Sequence, residues 1–114
     1  MEMHRHNGTL SVTGLRELNS ATARSFRAAV VSEVSPDLQT IEMDLSQMRF
    51  IDSTGLAALV SLYNALNGSE GRKTITLRLT NPAPPVQQMI ELARLHHLFE
   101  VAPSGMKQGD ELQH

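Results

Sequence analysis

The sequence contains no cysteine and no tryptophan among its 114 residues. The lack of cysteine excludes disulfides, thiolate metal sites and cysteine nucleophiles, and it weakly favours the cytoplasm, where disulfides are rare. Aromatic residues make up only 4% of the chain, too few for a surface on which nucleic-acid bases or sugars stack. The core is therefore expected to be aliphatic, with six Met residues filling gaps among Leu, Val, Ile and Ala.

Charge is also scarce and nearly balanced. Charged residues form 19% of the chain, and the net charge is -2. Because nucleic-acid binding by counterion release requires a clustered surplus of Lys and Arg, we expect no direct nucleic-acid partner. Disorder requires few apolar residues, whereas 40% of this chain is hydrophobic. The composition predicts a single folded domain, since domains cluster near about 100–150 residues.

Long hydrophobic runs are absent as well. The longest nearly apolar stretch, residues 56–62, is far shorter than the roughly 20 residues that cross a bilayer. The first six residues, Met-Glu-Met-His-Arg-His, contain no apolar segment of the kind found in signal peptides. We therefore expect a cytoplasmic protein without a transmembrane segment.

Four short stretches have the alternation of β-strands. Asn7-Gly8 lies between two such runs and favours a hairpin, because the tight turn requires positive φ at both positions. Residues 40–45 and 74–80 alternate apolar and polar side chains, and residues 98–101 predict a short final strand. The chain thus begins with a two-stranded hairpin and adds three further strands.

Apolar residues at helical spacing predict three helices between these strands. The first is expected to start with Asn19 or Ser20 as its N-cap and to stop before Pro36. The second, over 56–66, is apolar over more than half of its circumference. Prolines at 84–85 suit the first turn of the third helix, where a missing N–H costs nothing.

The resulting order is β-β-α-β-α-β-α-β. Strands separated by helices predict an α/β fold, a mixed and mostly parallel sheet of four to five strands with about three to four helices. We expect one domain over 1–114, with its core at about 9–102. Residues 103–114 are mostly polar and are expected to form a flexible tail.

The most informative segment is Asp52-Ser53-Thr54-Gly55, at the predicted start of the second helix. The first N–H groups of a helix lack intrahelical partners, and the helix dipole is positive there. Asp52 or Ser53 can cap that end, and a hydroxyl there can also carry a phosphoryl group whose charge the helix end tolerates. Capping and phosphorylation are compatible. A cap requires only one polar residue, so three in a row favour a function beyond capping.

Enzymatic alternatives find little support. An extra residue separates Asp52 from the glycine of an aspartic-protease Asp-Thr-Gly motif, and an aspartyl-phosphate site would need a supporting Lys and metal-binding acids. His4 and His6 share one side of the predicted edge strand but lack a third metal ligand. His96 and His97 are expected to end the third helix in a capping role. We therefore predict a protein that is not an enzyme and needs no cofactor or metal.

The segment around Asp52 resembles the STAS domain family, especially the bacterial anti-sigma factor antagonists. The Asp-Ser-Thr-Gly-Leu sequence, placed between an apolar step and a long helix, is the specific part of this resemblance. The resemblance covers about residues 9–102, and the matching segments are 12–14, 18–22, 41–46, 50–56, 79–82 and 92–99. It implies a STAS-like fold.

The resemblance also implies a function in signal transduction and transcription regulation. Ser53 would be the phosphoacceptor, and the partner would be an anti-sigma factor that is also a serine kinase. That partner binds the unphosphorylated form and releases the phosphorylated form, and a serine phosphatase resets the switch. The implied switch loop that binds the partner comprises Asn19, Ser20, Asp52, Ser53, Thr54, Gly55 and Leu56.

Three features depart from the family pattern, and two other functions stay open. Asn19 stands where phosphorylatable members often have Asp, and Ala57 stands where a second glycine is frequent. Gly14 and Leu18 are separated by two residues more than the family's usual Gly-x-Leu spacing. A STAS domain can instead be an accessory subunit of a lipid or anion transport system, docking on its ATPase without phosphorylation. A scaffold protein that forms weak homo-oligomers through the apolar second helix is the third interpretation.

Overall fold

Strands and helices alternate along the chain in the predicted order. The computed structural model describes residues 1–67 and 74–102. Within these ranges the strands are β1 (Glu2–His6), β2 (Thr9–Thr13), β3 (Thr40–Asp44), β4 (Thr76–Thr80) and β5 (Glu100–Ala102). The helices are α1 (Ala23–Val31), α2 (Ser53–Asn67) and α3 (Pro84–Leu92), with a short 3-10 helix at Leu95–His97.

The five strands form one mixed sheet in the order β1-β2-β3-β4-β5. β1 pairs antiparallel with β2, and every other neighbouring pair is parallel, which confirms the predicted architecture. The hairpin between β1 and β2 turns at Asn7 and Gly8, whose φ angles are 48° and 83°. The tight turn predicted from Asn-Gly requires positive φ at both of its central residues, and both have it.

One face of the sheet carries the core. Side chains along β2, β3 and β4 alternate between buried and half-buried, as the period of a strand with one covered face requires. The helices add buried aliphatic residues, and within the described residues no polar side chain is buried. The buried strand positions are Leu10, Val12, Ile41, Met43, Leu77 and Leu79.

The other face of the sheet carries polar side chains, three of which form a charged cluster. The Arg78 guanidinium donates to Glu42 Oε2 at 2.9 Å and to Glu100 Oε1 at 3.0 Å. These residues are directly opposite one another on β3, β4 and β5. The arginine therefore links the short final strand to the rest of the sheet.

The first helix begins later than Asn19 or Ser20, because a turn precedes it. α1 starts at Ala23, and the Asn19 side-chain oxygen accepts hydrogen bonds from the N–H groups of Ala21 and Thr22 at 2.9 and 3.2 Å. Asn19 thus caps the turn that leads into the helix. The helix ends at Val31, ahead of Pro36 as predicted.

The end of the third helix differs from the prediction. Arg94 has φ 60°, which stops α3 and starts the 3-10 helix, so His96 and His97 lie beyond α3 and do not cap it. The Phe99 N–H then bonds to the Leu95 carbonyl, and the final strand begins only at Glu100 instead of residue 98. The predicted tail, 103–114, lies outside the described residues.

Candidate functional site

Asp52 caps α2. Its Oδ1 accepts a hydrogen bond from the Gly55 N–H at 2.9 Å, and its carbonyl accepts from the Leu56 N–H at 3.0 Å. Of the two cap candidates, Asp52 therefore occupies the N-cap, and Ser53 is the first residue of the helix. Such a cap stabilises a helix by about 1 kcal/mol, and it leaves the Ser53 hydroxyl uncommitted to that role.

Ser53 and Thr54 present their side chains to solvent at the start of this helix. Their N–H groups are among the first of α2 and have no intrahelical acceptor, so positive partial charge surrounds the Ser53 hydroxyl. β3 ends at Asp44, and a loop rather than a strand carries the chain from there to Asp52. A group added to Ser53 would project outward without entering the core.

Gly55 allows a close approach between two distant parts of the chain. A Cβ at this position would lie 2.4 Å from the Leu18 carbonyl oxygen and 2.6 Å from Ile51 Cγ1, well inside contact distance. The segment before α1 therefore packs directly against the first turn of α2. Gly55 and Leu56 are both buried, so within the predicted switch loop they hold the segments together while their neighbours face solvent.

This contact brings Asn19 to the same groove as Asp52. The groove has a volume of about 420 Å³. It is lined by Arg16, Glu17, Leu18, Asn19, Gln47, Arg49, Phe50, Ile51 and Asp52. We call the solvent-facing part of the predicted loop the switch surface, formed by Asn19, Ser20, Asp52, Ser53 and Thr54.

Phe50 is a feature of this groove that the sequence analysis did not identify. It is 68% exposed, whereas Ile51 beside it is 2% exposed. The sequence pattern does not show which of the two is buried. Two adjacent apolar residues in a loop have no periodicity that would distinguish a buried position from an exposed one. An exposed aromatic side chain thus borders the switch surface.

Ser20 lies at a second, smaller groove between α1 and α2. This groove has a volume of about 280 Å³ and is lined by Ser20, Ala23, Arg24, Arg27, Ala58 and Ser61. Arg27 donates to the Ser61 hydroxyl across it at 3.3 Å. Asn19 and Ser20 are adjacent in sequence, so the two grooves meet at the switch surface.

The histidines lie elsewhere. His4 and His6 are exposed on the edge strand β1. Among the described residues, no three His, Cys, Asp or Glu side chains are placed to hold a metal ion. In the same part of the chain, no helix is long and apolar enough to cross a membrane.

Residues 1–105 match the family model of the STAS domain. The chain belongs to the STAS domain family. An anti-sigma F factor antagonist of Paenibacillus polymyxa is 23% identical over 114 residues, which are 99% of this chain and 94% of that protein. The STAS fold accounts for the sheet order and for the strand-loop-helix setting of Asp52.

Solved structures with the same fold belong to similar proteins. A Thermotoga maritima protein assigned as an anti-sigma factor antagonist superposes with a TM-score of 0.74 at 19% identity, covering 99% of this chain and 94% of its own. An anti-sigma factor antagonist from Mycobacterium paratuberculosis gives a TM-score of 0.64 at 26% identity, covering 98% and 89%. The five-stranded sheet with three helices is therefore an arrangement that occurs in known STAS structures.

Proposed function

We propose that this STAS domain is an anti-sigma factor antagonist, switched by phosphorylation of Ser53. Its partner is an anti-sigma factor that also acts as a serine kinase and binds the unphosphorylated form. The observation that carries the proposal is the exposed Ser53 hydroxyl at the start of α2, left uncommitted because Asp52 supplies the cap. The chain itself performs no catalysis and is the substrate of its partner.

The chemistry of the switch is a phosphoryl transfer to the Ser53 oxygen. The oxygen attacks the γ-phosphorus of ATP held by the kinase, ADP leaves, and the hydroxyl loses its proton. A serine phosphatase later hydrolyses the ester and restores the hydroxyl. Both reactions require the side chain to protrude, and Ser53 is solvent-exposed.

The magnitudes favour a change in binding over a change in fold. A phosphoserine adds about 1.5 to 2 negative charges. The start of a helix stabilises an anion by only about 0.3–1 kcal/mol, while burying a charge in an interface costs several kcal/mol unless it is paired. The Asp52 carboxylate beside Ser53 offsets part of that stabilisation, but both groups are exposed, so solvent and salt screen their repulsion. Phosphorylated protein should therefore stay folded and leave its partner.

Paired variants test the proposal. Ser53→Ala and Ser53→Asp are used as baits in native lysate, and the wild-type protein is analysed for phosphate by mass spectrometry. We expect Ser53→Ala to retain an ATP-binding kinase-like anti-sigma factor, Ser53→Asp to lose it, and the phosphate to be on Ser53. Thr74→Ala and Thr74→Asp are the matched controls, since Thr74 is an exposed hydroxyl residue ahead of β4 and lies outside the switch surface.

A different result would contradict the switch. If both Ser53 baits captured a transport ATPase equally and no phosphate were found, the accessory-subunit interpretation would replace this proposal. Circular dichroism of Ser53→Asp provides the folding control. Its thermal midpoint should lie within about 2 °C of the wild type, because the residue is exposed and a negative charge suits the helix start.

A further inference from the structure

Four arginines surround the switch surface. Arg16 and Arg49 line the groove that contains Asp52, and Arg24 and Arg27 line the groove that contains Ser20. All four side chains are exposed. They come from α1 and from the loops before α1 and α2, so they flank the switch surface on both sides.

These arginines differ from Arg5 and Arg78 in having no acidic partner, a property that they share with Arg94 within the described residues. Arg5 pairs with Asp37, and Arg78 pairs with two glutamates. Across residues 1–67 and 74–102, none of the four arginines around the switch surface forms an ion pair with a carboxylate. Their charges are available to a binding partner.

The balance of charge around the switch surface is opposite to that of the whole chain. The linings of the two grooves contain four arginines and two acidic residues, Glu17 and Asp52, which leaves an excess of two positive charges. The complete chain has a net charge of -2. The positive excess is therefore local, and complementary charge across an interface governs both partner choice and the rate of encounter.

Phe50 adds an exposed apolar side chain to this charged face. It lines the same groove as Arg16 and Arg49, and two-thirds of its surface is open to solvent. Aromatic and arginine side chains are the residues most enriched where a few contacts dominate binding energy. An exposed Phe with arginines beside it is the arrangement of a docking anchor.

We infer that this face receives an acidic surface of the anti-sigma factor, with carboxylates opposite the arginines and an apolar pocket for Phe50. The inference rests on the proposed function and specifies the partner's chemistry. It also adds a second reason for release upon phosphorylation. A phosphate on Ser53 would repel the partner's carboxylates and compete with them for the arginines.

Binding kinetics at two salt concentrations test the inference. The anti-sigma factor identified with the Ser53→Ala bait is purified, and its association with the wild-type protein is compared with that of an Arg24→Glu, Arg27→Glu double variant. We expect the association rate to fall at least about 10-fold at 0.1 M salt. The difference should shrink at 1 M salt, where the screening length drops from about 10 Å to about 3 Å.

Two further variants separate charge from packing. Arg94→Glu is the matched control, because Arg94 is an exposed arginine that lines neither groove. It should leave the association rate within about 2-fold of the wild type. Phe50→Ala should weaken binding by about 30-fold, mainly through faster dissociation and with little dependence on salt.

Each opposing result has a distinct meaning. An association rate that is unchanged or increased in the double variant overturns the inference of an acidic partner surface, even if Ser53→Asp still abolishes binding. If the wild-type protein binds no anti-sigma factor at all, the proposed function fails, and this inference fails with it. If the double variant instead dissociates a dimer of this chain and binds the anti-sigma factor normally, the face belongs to a second copy and the inference is wrong.

Discussion

Replacing Gly55 with alanine perturbs the contact that assembles the switch surface. The added Cβ would lie 2.4 Å from the Leu18 carbonyl oxygen, where ordinary contacts lie at 3.4–4 Å. Backbone must therefore shift by about 1 Å, and overpacking of this kind typically costs about 1–3 kcal/mol. Alanine recovers up to about 1 kcal/mol through its better helix propensity. Because the clash is with a backbone oxygen, the upper end of that cost applies, and we expect a net loss of about 2 kcal/mol in the free energy of unfolding.

Urea and thermal unfolding measure this loss. In a domain of this size, about 2 kcal/mol corresponds to a decrease of roughly 8 °C in Tm. Thr54→Ala, one residue earlier and exposed, should stay within about 0.5 kcal/mol of the wild type. A Gly55→Ala protein with wild-type or higher Tm would contradict this close contact, because it would show that the Leu18 carbonyl does not pack against this turn. Under the proposed function, the variant should also bind the anti-sigma factor more weakly, since Asn19 moves with Leu18.

Three other changes test local interactions. Asp52→Ala should lower the free energy of urea unfolding by about 1 kcal/mol through loss of the helix cap. Asp52→Asn should lower it less, because an amide oxygen can still accept the hydrogen bond. Equal losses would contradict the capping role. Asn67→Ala should cost about 2 kcal/mol, because the Asn67 side chain bonds both the N–H and the carbonyl of Ile75 at 2.7 and 3.1 Å. Asn67→Asp keeps the acceptor for the Ile75 N–H but turns a carboxylate oxygen toward the Ile75 carbonyl, so it should also destabilise the protein, and a silent Asn67→Ala would refute this link. A hydrogen bond from the Ser35 hydroxyl lowers the pKa of Asp37 below its ordinary value, so Ser35→Ala should raise that pKa in a carboxyl NMR titration. The pKa of Asp37 is lower in the folded than in the unfolded protein. Asp37 therefore stabilises the fold above its unfolded pKa, and this contribution is lost as the pH falls through its folded pKa. An unchanged titration would contradict the role of the Ser35 hydrogen bond.

Much of the fold could be predicted because its signals are local. The Asn7-Gly8 turn requires positive φ at two adjacent residues, and the structure has both. Alternation identified β3 and β4 because one face of the sheet is covered. The helix starts were harder to predict, since Asn19 caps a separate turn before α1. The strand after α3 was placed two residues too early because nothing in the local pattern indicates the positive φ of Arg94.

The candidate site likewise has one feature that local sequence predicts and others that depend on tertiary packing. Asp52 or Ser53 was expected to cap α2 from residue type and spacing, and the hydrogen bond that the Gly55 N–H donates to Asp52 identifies Asp52 as the cap. The exposure of Phe50 could not be predicted, because it depends on the path of a loop against the rest of the domain. The grouping of arginines from α1 with those of two loops is equally invisible in the linear sequence.

Local sequence patterns are enough to predict the succession of strands and helices, the aliphatic core and the polar cap of α2. Each of these depends on backbone preferences or on the period of side chains along one element. The contact of Leu18 with Gly55, which places Asn19 and Asp52 in one groove, is visible only in the folded domain. That contact arises from the packing of α1 and its preceding segment beside α2, and close packing is a property of two surfaces together. The net charge of the chain is likewise a sum over residues, whereas the positive excess at the two grooves exists only because folding brings arginines from α1 and two loops to the switch surface.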